Sequence, residues 1–142
     1  MLRVKTELRR FSFILWPSLG FFIALLLFCD TFNAIDESKM SVVVGIAGSL
    51  IGILLTVFTI YIAFPKESKT IQRLVKSGHD GILRRTIVSG VITYTCCVFA
   101  WLFEAQNGIV VSLFLSGFSC IFVSLYYISK INKFLQRHSD SG

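Results

Sequence analysis

Four long apolar runs, Phe11–Cys29, Ser41–Phe64, Thr86–Phe103 and Gly108–Ile128, alternate with short polar segments along the 142-residue chain, and none contains Asp, Glu, Lys, Arg or His. A helix needs about 20 mainly apolar residues to cross the hydrocarbon core of a bilayer, and each run meets or approaches that length. Runs such as "FFIALLLF" and "SLIGILLTVFTIYIAF" do not alternate between apolar and polar positions, which argues against the strands of an outer-membrane barrel. The pattern predicts an all-α, polytopic membrane protein with four transmembrane helices in a single domain, residues 1–142. The turn "EAQN" between the last two runs is too short for anything but an antiparallel pair of neighbouring helices. The connection around Asp30–Lys39 likewise leaves no room for a soluble domain.

Charge then orients the four expected spans. Of fourteen basic residues, only Lys39 falls in an odd-numbered connection; Arg3, Lys5, Arg9 and Arg10 precede the first run, Lys66, Lys69, Arg73, Lys76, Arg84 and Arg85 lie between the second and third, and Lys130, Lys133 and Arg137 follow the fourth. Basic loops stay in the cytosol, so both termini are expected inside and the protein is expected to be multi-pass in the inner, cytoplasmic membrane. Trp101 toward the outer face and Tyr61, Tyr126 and Tyr127 toward the inner face suit an aromatic belt that anchors the helices. The first run resembles a signal peptide in its basic flank and apolar core, but Phe32 at the minus-three position before Ile35 and Phe28 before Cys29 spoil both kinds of cleavage site. An uncleaved chain is expected.

The middle loop has a pattern of its own. At 100° per residue from Pro65, Lys66, Lys69, Arg73 and Lys76 fall within about 80° of one another, while Ile71, Leu74, Val75 and Ile82 cluster opposite. This predicts a short basic amphipathic helix in the cytosol between the second and third transmembrane helices, ended by "SGHDG" before Arg84 and Arg85 open the third span. Two readings of Lys66, Lys69, Arg73, Lys76, Arg84 and Arg85 stand side by side. They can hold the topology and touch anionic lipid headgroups, at about 1 kcal/mol per basic residue, or they can dock an acidic cytosolic partner or a phosphate-bearing ligand. No GxxxxGK[ST] phosphate loop is present, and the stripe lacks the interleaved aromatics of a single-strand binder, so direct nucleic-acid binding is not expected.

Small residues form two further stripes. Gly45, Gly48, Ser49, Gly52, Thr56 and Thr59 share one side of the second span, with Gly48 and Gly52 in a GxxxG pair; such faces let helices approach closely where lipid supplies no hydrophobic drive. Gly45, Gly48 and Gly52 therefore pack either within the monomer or at a homo-oligomer seam, and a pore lining is a third use. Ser112, Ser116, Cys120 and Ser124 repeat the idea on the fourth span, where serines commonly bond back to their own helix. Cys29, Cys96, Cys97 and Cys120 form neither a CxxC nor a zinc pattern and read as small packing residues. His79 and His138 lie in polar segments, and no nucleophile or second carboxylate is placed in sequence to use His79 and Asp80. No catalytic residue, metal ligand or cofactor is predicted, and the absence of an ionisable group within the spans argues against an ion-coupled transporter.

The order of second span, "FPKESKTIQRLVKSGHDGIL" and third span resembles a class of small four-span bacterial membrane proteins, several of which sit in anti-phage defence operons. It is similar in layout to the membrane subunit of the Kiwa system, whose partner is a cytosolic DNA-binding protein. The resemblance spans most of the chain in layout and carries over no catalytic residue. It implies a non-enzymatic, membrane-anchored homo-oligomer that docks a cytosolic protein through its basic inner face. A pore-forming or holin-like effector that permeabilises the inner membrane is the alternative, motivated by the small and hydroxyl faces of the second and fourth spans.

Overall fold

The computed structural model describes residues 2–63 and 79–139, and these form four helices: α1 (Leu2–Asn33), α2 (Glu37–Ala63), α3 (His79–Leu102) and α4 (Asn107–Ser139). The segments Glu37–Ala63, Gly81–Leu102 and Asn107–Ser129 are long and apolar enough to cross a membrane, and in α1 the apolar stretch among the described residues is Leu15–Phe28. Helices outrun the apolar runs because nothing in the flanking sequence breaks them. With 33 residues, α4 is about 50 Å long against a hydrocarbon core of about 30 Å. The third helix begins at His79, not beside Thr86, so Gly81, Arg84 and Arg85 belong to its first turns. Lys66, Lys69, Arg73 and Lys76, with the expected amphipathic helix, lie outside the described residues.

Side chains and backbone together close the two described turns. Asp36 caps α2: its carboxylate accepts from the Glu37 amide at 3.0 Å and the Ser38 hydroxyl at 2.7 Å, while its carbonyl accepts from the Lys39 and Met40 amides. The Glu37 and Lys39 bonds satisfy amides that a helix start would leave open. At the other turn, the Ala105 amide donates to the Ala100 carbonyl at 2.9 Å and the Glu104 amide to the Trp101 carbonyl at 3.0 Å, the paired bonds of a Schellman ending. That ending needs a left-handed residue, and Glu104 supplies it with φ of 54°.

The helices pack as a rhomb with α3 and α4 in the middle. Contacts are most extensive between α4 and both α1 and α3; α2 lies chiefly on α3, and among the described residues α1 and α2 do not pack on each other although they are consecutive. One bond stitches the shared turn end together: the Asn107 side-chain amide donates to the Ile35 carbonyl at 2.8 Å. Met40, Val44, Ala47 and Leu54 turn one stripe of α2 onto Leu83, Ile87, Tyr94 and Cys97 of α3 and Val110 and Val111 of α4. Large side chains such as Phe22, Leu26 and Leu27 of α1 and Phe122 of α4 point outward. In a membrane-spanning bundle those positions meet lipid tails, which solvate them as well as a core does.

Three glycines permit the closest approaches. A Cβ at Gly20 of α1 would strike the Ser119 hydroxyl of α4, one at Gly117 would enter the Tyr94 ring, and one at Gly90 would lie 3.0 Å from a Leu54 methyl and 3.1 Å from the Cys120 Cβ. Pro17 sits inside α1 near the same level, and its carbonyl accepts from the Ser116 hydroxyl. With the Asn107–Ile35 bond at the opposite end, these contacts run α1 antiparallel to α4. The same bond brings the start of α2 to the end of α3, so with Leu54 against Gly90 those two helices are antiparallel as well.

A left-handed non-glycine residue costs about 1–2 kcal/mol. Glu104→Gly therefore removes strain at an exposed turn, and thermal unfolding in detergent is expected to show a protomer more stable by about 1 kcal/mol. No gain would mean that the Glu104 side chain stabilises the turn as much as its backbone strains it.

Candidate functional site

The small face of α2 lies outside the protomer. The stripe that packs on α3 is centred on Met40, Ala47 and Leu54, and Gly45, Gly48 and Gly52 are rotated from it by roughly 130° at 100° per residue. Among the described residues, a Cβ at any of the three would meet nothing within 4 Å. Packing of this face within the monomer, one of the uses expected from its composition, finds no partner among the described residues; the within-protomer approaches seen among them use Gly20, Gly90 and Gly117 instead. The hydroxyls beside it are already satisfied. Ser49 donates to the Gly45 carbonyl at 3.1 Å, Thr56 to that of Gly52 at 2.9 Å and Thr59 to that of Leu55 at 2.9 Å. The result is a flat exposed surface whose hydroxyls are turned back to their own helix, which suits it to another helix in lipid.

The hydroxyl stripe of α4 has the opposite fate. Ser112, Ser116, Cys120 and Ser124 are all buried. Ser112 bonds back to the Gly108 carbonyl at 2.6 Å, as a serine within a span commonly does, whereas Ser116 crosses to Pro17 of α1. Facing them from α3 are Thr86, whose hydroxyl donates to the Ile82 carbonyl at 2.8 Å, and Cys97, whose thiol donates to the Val110 carbonyl at 3.3 Å. The Tyr94 and Ser124 hydroxyls are buried in this seam with no hydrogen-bond partner among the described residues. Tyr94 escaped the sequence reading. A tyrosine in mid-span, far from either aromatic belt, was the available sign that a glycine on a neighbouring helix makes room for its ring.

Cysteine positions divide as well. Cys97 and Cys120 are buried packing residues, but Cys96 faces outward, and all three are free thiols. Among the described residues no group of three His, Cys, Asp or Glu side chains is close enough to hold a metal ion.

Basic residues gather at one end. The antiparallel pairing puts the start of α1, the end of α2, the start of α3 and the end of α4 together, and these helix ends carry or adjoin the basic flanks. Arg84 and Arg85 are exposed there, on the first turns of α3. Ile82, assigned by its periodicity to the apolar side of a loop helix, is buried within α3. No protein-family model, curated protein sequence or solved structure matches the chain.

Two substitutions separate packing from polarity in the seam. Gly117→Val forces a branched side chain into the Tyr94 ring and should destabilise the protomer by about 1–3 kcal/mol, the usual range for overpacking. Tyr94→Phe keeps the ring and removes a hydroxyl without a partner, so thermal unfolding should show no loss and a gain of about 1 kcal/mol. A clear loss for Tyr94→Phe would mean that the hydroxyl is bonded, through water or a partner, in the membrane.

Proposed function

We propose that this chain is a non-enzymatic subunit of the bacterial inner membrane, crossing it four times with both termini in the cytosol. It self-associates through α2 and docks a cytosolic protein through its basic face, in anti-phage defence. The observation that carries the reading is the open Gly45, Gly48 and Gly52 face on the outside of a protomer whose Gly20, Gly90 and Gly117 are occupied within. Lipid gives helices no hydrophobic reason to associate, so a surface that admits close backbone contact is where a second copy gains most. For a fourth crossing by α1, support comes from its 32-residue length and from its packing along α4.

Docking draws on charge. Lys66, Lys69, Arg73 and Lys76 join Arg84 and Arg85 on the side that the excess of basic residues assigns to the cytosol. An acidic surface on a soluble protein is the matching partner, and defence is what the resemblance in layout implies. A pore-forming effector has less support: the α4 hydroxyls face the inside of the protomer and the small face of α2 the outside, so the two do not line one path.

Mass in nanodiscs tests the assembly. The native chain is expected as an oligomer, and Gly48→Ile should shift it toward the monomer without lowering protomer stability; a native monomer would end the reading. The combined change Lys69→Glu, Arg73→Glu and Lys76→Glu should abolish capture of a cytosolic protein encoded beside it and leave the chain in the membrane. Unchanged capture would remove the docking role. Loss of membrane potential on induced expression would favour the pore instead.

A further inference from the structure

A groove of about 440 Å³ opens on the outer surface between α2 and α3, and its lining changes character along its length. Arg84 and Arg85 stand at the end where the basic flanks gather; Val88 and Ile92 continue from them along α3, and Phe58 of α2 forms the facing wall. From Arg84 to Ile92 the helix rises about 12 Å, so the groove runs from the cationic end into the apolar layer. Its deeper polar group is not asking for a ligand: the Thr93 hydroxyl donates to the Ser89 carbonyl at 2.8 Å. One end thus carries two guanidinium groups, that of Arg85 already engaged within the protein; guanidinium N–H donors suit phosphate oxygens, and the rest offers hydrocarbon.

We propose that this groove holds one anionic phospholipid, its phosphate at Arg84 and Arg85 and an acyl chain along Val88 and Ile92 against Phe58. The occupant follows from complementarity at both ends. A free phosphate would leave the apolar length unused, and a zwitterionic lipid would bring a cation toward two arginines. The proposal rests on the membrane reading of the helices, and it makes the basic end a place where lipid is bound at a fixed position, not merely collected. Because the site bridges α2 and α3, an occupying lipid also supports the helix that carries the open small face.

The test uses the full chain purified in mild detergent, with dioleoyl phosphatidylglycerol, dioleoyl phosphatidylcholine or inorganic phosphate added, read by native mass spectrometry and thermal unfolding. One phosphatidylglycerol should remain bound per chain and raise the unfolding midpoint, while phosphatidylcholine and inorganic phosphate do neither. Arg84→Gln with Arg85→Gln should weaken phosphatidylglycerol retention about tenfold. Val88→Trp fills the apolar length with both arginines intact, and should weaken it by a similar factor; Val88 is exposed, so the fold tolerates the change, and Ile92→Trp checks the same point one turn on. Equal retention of phosphatidylcholine, displacement of the lipid by inorganic phosphate, or native-like retention in both tryptophan variants would overturn the proposal. Oligomer mass is read in the same spectra. Lipid lost with the oligomer intact refutes only the lipid site, and a monomer that keeps its lipid refutes only the assembly.

Discussion

Close approach of neighbouring side chains to bare helix backbone around α4 is the constraint on which the bundle depends. Between helices that lipid solvates as well as protein does, apolar area contributes little, and cohesion comes from van der Waals contact and the bonds that close approach allows. The contacts at Gly20, Gly90 and Gly117 and the bond from Ser116 to Pro17 supply it. At each glycine a neighbouring side chain takes the space that a Cβ would fill. Because α4 holds α1 on one side and α3 on the other, its small and hydroxyl residues are consumed inside the protomer.

The position of α2 follows from that arrangement. With the middle of the rhomb taken by α3 and α4, α2 can only flank α3, which it does through Met40, Val44, Ala47 and Leu54. Those side chains are larger than the glycines of its other stripe, so its tightest surface is left outward. Asp36 as a cap and the Asn107–Ile35 bond hold the start of α2 in place although α1, its neighbour in sequence, does not pack on it. The outer surface is accordingly of two kinds: bulky aliphatic and aromatic side chains, which all four helices expose, and a small-residue strip on α2 flanked by Ile46, Ile53 and Leu55.

Charge acts at a different level, by placing helix ends and not by holding helices together. Antiparallel pairing gathers the ends that carry the basic flanks, while Asp36, Glu37, Lys39 and Glu104 lie at the other end. The segregation makes one end of the bundle a cationic rim above an apolar belt. The groove between Phe58 and the Arg84–Ile92 stretch is where that rim and the belt meet in one concave surface.

Helicity, the apolar lengths and the one-ended charge were legible in the sequence, because each depends on composition within a window of about twenty residues. So were the glycines as sites of close approach, as a class. Which glycines approach which helix was not legible, since Gly48 and Gly117 differ only in what the fold sets opposite them: open surface in one case and the Tyr94 ring in the other. Periodicity alone likewise assigned Ile82 to a loop helix, whereas continuous hydrogen bonding from His79 carries it into α3 and buries it. A stripe reports that a helix has a special face. Only the packing of the other helices decides whether that face looks in or out, because in lipid both directions solvate an apolar side chain equally and the choice falls to shape.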